Sequence, residues 1–498
     1  MSSLEQEQQS IIAELRRENE ALKRQLEDFK RLIFGKKNER FVALNDGQTA
    51  LFDTSETGSQ VEGSGSAPKE ITYQRNPTPK DKQKPVRTEL PAHLPREEEV
   101  IEPEDLPEDV VKIGEAITET LEYKPAVMYV RKIVRPKYKL VDSASKAHSL
   151  TTEILVAPLP SQPIPSGNAG PSLLAYLFIS KYIDHLPYYR QVQMFKRDGI
   201  KLSESTISGW FKAVCKLLEP LYEELKSQVL ASEYLMGDET TIPVQSSNKP
   251  GATHTGYMWV YRSPVRNLVM FDYQKSRSGH APAELLKEYR GTLQTDGYVG
   301  YEQFDNNPNI TLIGCMAHAR RHFEKALDND RARAQHALTL IQKLYAIERQ
   351  AQNDQLAIKE ITTLRQQQAI PILNNFHSWM KDQYTQVAPK SSIGKALSYS
   401  LKLWSRLTRY TENGLWRIDN NLVENSIRPV ALGRKNYLFA GNHQAAQHAA
   451  MMYTFFGSCK LHEIEPRAWL TEVLSKIPNT KISQLASLLP NDKQLSKQ

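Results

Sequence analysis

Apolar positions recur along this chain with several different periods, and each change of period marks a change of structure. Over residues 4–34, Leu15, Leu22 and Phe29 recur at every seventh position, with Ile11, Leu26, Leu32 and Ile33 widening the stripe and charged residues elsewhere. That repeat predicts a helix that pairs with a second copy as a coiled coil. An amphipathic helix packed on its own protein is the alternative. The apolar pattern then lapses. Residues 46–90 are rich in Gly, Ser, Thr, Pro and Lys, a composition that cannot build a core and reads as a flexible linker. Leu121, Tyr123, Val127, Tyr129, Ile133 and Val134 suggest short strands within 91–140, and Pro158, Pro160, Pro163 and Pro165 punctuate a loop-like stretch after them.

Residues 171–227 return to a helical period. Pro187 stands where a helix starts, Gly199 where one ends, and Ser203 can cap the next. Two short helices about a glycine turn predict a helix-turn-helix, with Ser205, Thr206 and Ser208 facing a DNA groove and Ile207 and Phe211 facing inward. Lys196, Arg197 and Lys201 would then meet phosphates. An ordinary helical hairpin is the other reading. From residue 233 the pattern becomes that of strands: Tyr234–Asp238, Tyr257–Tyr261, Asn267–Phe271, Gly291–Asp296 and Thr311–Cys315, with a helix at 281–289 and another from Ala317. This order predicts a mixed sheet with helices on its faces. Residues 317–410 are almost wholly helical, and the sheet domain is expected to resume near Trp416. Trp404 and Trp416 read as core residues.

Composition narrows the class. At 498 residues the chain exceeds one ordinary core, so two to four domains are expected. With 40% hydrophobic and 24% charged residues and a net charge of +7, the balance is that of a soluble protein whose basic residues matter only where they cluster. The three cysteines, Cys215, Cys315 and Cys459, are too far apart in sequence for a disulfide framework or a Cys-x-x-Cys site and fit reduced thiols. The N-terminal stretch lacks the pattern of a signal peptide, and no run of about 18 apolar residues exists. A cytoplasmic protein with no membrane partner is expected.

Asp238 and Asp296 each stand at the C-terminal end of an apolar strand. If their strands are neighbours, the two carboxylates repel unless a cation intervenes, and hard oxygen ligands suit Mg²⁺ or Mn²⁺. Strand-end aspartates also serve simply as turn caps. Glu424 adds a third carboxylate, on a helix that Asn420 or Asn421 can cap and among Leu422, Val423 and Ile427. An exposed helical glutamate is the bland reading. Three convergent carboxylates suit two metal ions in an in-line phosphoryl transfer.

These segments together resemble the IS66 family of bacterial transposases over nearly the whole chain. The resemblance rests on Leu32-Ile33-Phe34-Gly35, Gly237-Asp238-Glu239-Thr240-Thr241, Gly256-Tyr257-Met258-Trp259-Val260-Tyr261, Gln294-Thr295-Asp296-Gly297-Tyr298 and Gly314-Cys315-Met316-Ala317-His318-Ala319-Arg320-Arg321. It rests further on Asp419-Asn420-Asn421-Leu422-Val423-Glu424-Asn425-Ser426-Ile427-Arg428-Pro429, continuing into Gly433-Arg434-Lys435-Asn436-Tyr437-Leu438-Phe439-Ala440-Gly441. The resemblance implies a ribonuclease-H-like α/β core, with Asp238, Asp296 and Glu424 as a DDE triad and a helical insertion before the glutamate. Proteins of this kind usually carry a cysteine-rich zinc-ribbon segment after the linker. Residues 100–140 contain no cysteine, so no structural zinc is expected there.

The expected organisation is α+β and multidomain. It comprises a coiled-coil dimerisation helix (1–45), the linker (46–90), a small β-rich DNA-binding segment at the zinc-ribbon position (91–150), a helix-turn-helix DNA-binding region (151–230), the first part of the core (231–316), the helical insertion (317–415), the second part of the core (416–460) and a helical tail (461–498). His318 and His322 have a metal-ligand spacing, with Cys315 near, but no fourth ligand is apparent. The other reading sets His318, Arg320 and Arg321 at a helix N-terminus facing the site or DNA phosphates. Arg428, Arg434 and Lys435, flanked by Asn436 and Tyr437, form a basic patch suited to backbone phosphates. The expected partners are the DNA ends of an insertion sequence, target DNA, a second copy of the chain and, from the resemblance, accessory proteins of the same element. A DNA-binding regulator without catalysis and a structure-selective nuclease are the rival functions.

Overall fold

A strand apolar on both faces belongs at the centre of a sheet, and Tyr234-Leu235-Met236, all fully buried, occupy that place. The structure, a computed structural model, describes residues 130–131, 133–134, 137–139, 154–156, 160–165, 167–246 and 251–491. The chain divides between residues 130 and 131 into two units, and the elements below lie in the second. The expected coiled coil, the linker and most of the 91–150 segment fall outside the described residues, as do 492–498 of the tail. Among the described residues, no helix is long and apolar enough to cross a membrane.

Two short strands, β1 (Lys137–Lys139) and β2 (Ile154–Val156), pair antiparallel. Three helices follow: α1 (Pro171–Tyr182), α2 (Tyr188–Arg197) and α3 (Glu204–Leu230). The turn between α2 and α3 uses Gly199 at φ +77°, a conformation that suits glycine. Ser203 caps α3 by accepting the Thr206 N–H at 3.1 Å. Ile207 and Phe211 face inward, and Ser205, Thr206 and Ser208 are exposed. The second helix is not short, however. It runs 27 residues, and its buried stripe continues through Leu218, Leu221, Leu225 and Val229 into the sheet domain.

The main sheet has the order β5-β4-β3-β6-β7, from β3 (Tyr234–Gln245), β4 (Thr253–Ser263), β5 (Leu268–Gln274), β6 (Gly291–Gln294) and β7 (Ile310–Ile313). Strands β3, β4 and β5 are antiparallel, whereas β6 joins β3, and β7 joins β6, in parallel. The helix expected at 281–289 is the shorter α4 (His280–Leu285). Residues 316–412 hold α5 (Met316–Lys325), α6 (Arg331–Asn353), α7 (Ile358–Leu364), α8 (Ile370–Tyr384), α9 (Ser392–Lys402) and α10 (Trp404–Thr408). They enclose a second core around Leu344, Phe376 and Leu397. Trp404 and Trp416 are half-buried and pack on it, Trp404 stacking on His377.

After Trp416 the chain returns to the sheet with helices rather than strands: α11 (Asn421–Tyr437), α12 (His443–Leu461) and α13 (Pro466–Lys476). Helix α11 runs beside β3 and β4, and α12 covers the edge strand β5. There the Thr454 and Ser458 hydroxyls accept the Phe271 and Val269 N–H groups at 2.8 and 3.3 Å, protecting an edge that would otherwise be open.

Candidate active site

A buried polar network sets the floor of the site. Strand β3 supplies Tyr234, whose hydroxyl donates to Gln294 Oε1 at 2.6 Å and accepts the Arg417 N–H at 3.1 Å. The Gln294 amide donates to the carbonyls of Gly314 and Arg417, at 2.9 and 2.8 Å. One fully buried glutamine thereby ties β3, β6, the end of β7 and the approach to α11 together. The Met316 N–H reaches the Ile418 carbonyl at 3.0 Å, bringing the start of α5 against the start of α11.

Asp238 does not end its strand as the sequence suggests. It lies within the 12-residue β3, opposite Val260 of β4, just beyond Met236, where the pairing with β6 stops. The parallel neighbour ends at Gln294, and Asp296 follows two residues on. Both aspartates thus sit at the C-terminal end of the parallel part of the sheet, where side chains project into a crevice.

Each aspartate is oriented by main chain. Asp238 Oδ1 accepts the Glu239 N–H at 2.8 Å, and Asp296 Oδ1 accepts the Tyr298 N–H at 2.8 Å. Gly297 between them has φ +94°, and a Cβ there would lie 2.3 Å from Leu403 Cδ1, so only glycine fits. Tyr399 of α9 donates its hydroxyl to the Asp296 carbonyl at 3.1 Å.

Charge compensation in the site is uneven. Glu239, its side chain 4% exposed, is paired with Arg277, whose Nε donates at 2.7 Å while its guanidinium lies over the Tyr298 ring. Glu424 Oε2 receives Arg321 Nη2. Among the described residues, neither Asp238 nor Asp296 forms an ion pair of this kind, although the Asp296 charge acts on Arg277. Burial, followed by the charges of Asp296 and Glu239, pushes the Asp238 carboxyl up to about 8. Burial and Asp296 also raise Glu239.

His318 lies within the fields of both Glu424 and Asp296. Burial lowers its pKa, while Asp296 and Glu424 act in the opposite sense. Arg321 Nη1 donates to His318 Nε2 at 3.2 Å, which assigns the ring proton of the neutral imidazole to Nδ1. That atom faces Glu424 Oε1 at 3.8 Å, and neither has a hydrogen-bond partner.

The three expected acids therefore share one electrostatic neighbourhood, with Glu424 turned onto Arg321. Among the described residues, no group of three or more His, Cys, Asp or Glu side chains is disposed to hold a metal ion. The donor chemistry of Asp238 and Asp296 still fits a hard divalent cation: two adjacent carboxylates, one strongly destabilised as an anion. Asn420 precedes α11 as expected, but its buried side chain makes no capping bond.

The other sequence candidates separate. Arg321 and His318 reach the site. Arg320 pairs with Glu324 at 2.7 Å, His322 stacks on Tyr399, and Cys315 is buried, accepting the Asn420 N–H. Arg434 is turned onto β3, where it donates to Thr240 Oγ1 and the Thr241 carbonyl, whereas Arg428 and Lys435 are exposed on α11. Lys196, Arg197 and Lys201 are exposed at the α2–α3 turn. Sequence reasoning missed Arg277 and Tyr399, which carry no local signature. Glu239 could have been found from its adjacency to Asp238.

Comparison with known proteins covers most of the chain. The family model described as "Transposase IS66 family" matches residues 166–448. "Transposase C of IS166 homeodomain" matches 21–98, and "IS66 C-terminal element" matches 454–491. The uncharacterized protein y4hP of Sinorhizobium fredii is 31% identical, covering 94% of this chain and 88% of its own. The uncharacterized protein y4jD of the same organism is 29% identical, over 93% and 92%.

Proposed function

This chain belongs to the IS66 family of transposases, and from that membership we propose that it cleaves DNA at the terminal inverted repeats of its element and joins the freed ends to target DNA. The observation that carries the reading is the pair Asp238 and Asp296 at the end of the parallel strands, neither closed in an ion pair among the described residues, with Glu424 beside it. The sheet order, antiparallel then parallel, is compatible with a ribonuclease-H-like core.

In this reading Asp238, Asp296 and Glu424 form a DDE triad that holds two Mg²⁺ or Mn²⁺ ions. When bound, such ions supply charge neutralisation at the scissile phosphate and an activated oxygen nucleophile. Gly297 and Tyr399 hold Asp296 in place, and Arg321 balances Glu424 until the ions and DNA arrive. The exposed Lys196, Arg197, Lys201, Ser205, Thr206 and Ser208 bind the inverted repeats, and Arg428 and Lys435 hold backbone phosphates beside the acids. Residues 1–45 join two copies so that both ends are held together, accessory proteins of the element take part, and the protein acts in the cytoplasm on the nucleoid.

The test is a cleavage assay with purified protein, Mg²⁺ or Mn²⁺ and DNA spanning the native end of the element, with Asp296→Ala beside the wild type. Metal-dependent nicks at one position, absent from the variant, are expected. Specific binding without cleavage by either protein would favour a regulator or a missing accessory partner, and scattered cutting a nuclease.

A further inference from the structure

Helix α11 begins one turn from Glu424 and presents a single exposed face to solvent: Asn421, Asn425, Arg428, Leu432 and Lys435. Their spacing of three and four residues is that of one helical stripe. The stripe leads to two large apolar side chains just past the helix, Leu438 at 63% and Phe439 at 42% exposure. Two cations lie along the same face, and no acidic residue does.

The tip is strained and hydrogen-bonded on both sides. Leu438 has φ +63° and ψ −50°, and the Phe439 N–H closes on the Tyr437 carbonyl at 2.7 Å. That is a γ-turn of the rare positive-φ kind, costly for any residue with a Cβ. It is held from both sides. The Leu438 N–H bonds to Arg434 at 3.1 Å. The Ala440 N–H bonds to Pro243, and the Ala440 carbonyl accepts from Gln245, at 2.9 and 2.8 Å. Strain that a fold maintains in order to expose leucine and phenylalanine calls for a ligand rather than for packing.

We propose that Leu438 and Phe439 form an apolar wedge that enters the base stack of the bound DNA, with Arg428 and Lys435 on the flanking phosphates. The inference rests on the transposase reading. Its occupant follows from complementarity, because a polyanion with apolar stacking faces fits a strip of cations ending in exposed apolar side chains. Position adds a distance. Fourteen residues of helix from Glu424 to Leu438 span ~21 Å, about six base-pair steps of duplex. With α11 laid along the duplex axis, the wedge would meet the DNA about six pairs from the scissile phosphate.

The experiment places 2-aminopurine at successive positions four to eight pairs from the cleavage site in a duplex carrying the native element end. Protein is added without divalent metal. A several-fold rise in fluorescence is expected at one or two adjacent positions with the wild type and with Asp296→Ala. Phe439→Ala should abolish it and weaken binding roughly 5- to 100-fold, the scale of one lost base stack. Leu438→Gly suits the positive φ, so it should melt no lower than the wild type yet also lose the signal. Tight binding with unchanged fluorescence, or variants indistinguishable from the wild type, would overturn the wedge and leave the transposase reading intact. Self-association lost in Phe439→Ala, with the fluorescence rise retained, would reassign the tip to a protein interface. No DNA binding by the wild type at all would overturn the transposase reading, and the wedge with it.

Discussion

Tyr399, on a helix of the insertion, donates its hydroxyl to the main-chain carbonyl of Asp296, two residues past the end of β6. The insertion thus reaches into the candidate site through a backbone bond, more than 100 positions away in sequence. Removing that donor leaves a half-buried carbonyl with one partner fewer, a loss of about 1 kcal/mol. Tyr399→Phe is expected to melt within a few degrees of the wild type while cleaving several-fold more slowly. Unchanged single-turnover cleavage would exclude a positioning role. Gly297→Ala should be worse on both counts, since its Cβ would collide with Leu403.

Arg321 competes with any cation for Glu424. Both side chains are about a quarter to a third exposed, so the pair is worth only about 0.5–1 kcal/mol. Arg321→Ala is expected to bind Mn²⁺ two- to fivefold more tightly, as read by titration calorimetry or electron paramagnetic resonance. Weaker binding would mean that Arg321 organises the acids rather than occupying one of them.

The pH dependence follows from Asp238. Its folded carboxyl titrates near 8, against an ordinary value of 3.8, so the folded state favours the protonated form. Its contribution to stability is fully present below about pH 4 and is lost as pH rises towards 8. Without divalent ions the melting temperature should fall across that window. Asp238→Asn should flatten the fall, as should added Mg²⁺. A melting temperature independent of pH in the wild type would contradict the burial of Asp238 beside Asp296.

Gln294 holds four segments together from a fully buried position. Gln294→Ala leaves two carbonyls and the Tyr234 hydroxyl short of partners, a cost on the order of 2–4 kcal/mol. Denaturant unfolding should show that loss, and cleavage should fall even where the protein remains folded, because the approach to α11 is released.

Local signals were legible where chemistry is local. Gly199 and Ser203 announced the turn and cap they form, and the strands around Tyr234, Tyr257 and Leu268 appear in place. Boundaries failed where long-range packing decides them. The helix from Glu204 runs on because its apolar stripe continues into the sheet domain, and β3 extends past Asp238 because β4 pairs along its whole length.

By itself, the sequence determined which residues carry acid, which segments alternate as strands or repeat as helices, and that Asp238, Asp296 and Glu424 deserved to be considered together. Tertiary structure alone decided which carboxylates are neutralised. Arg277 and Arg321 come to Glu239 and Glu424 from 38 and 103 positions away, while among the described residues no ion pair closes on either aspartate, Asp296 meeting Arg277 only through its electrostatic field. Electrostatic interaction falls with distance through space and not along the chain, so the balance of charge exists only once the sheet, the insertion and α11 have met.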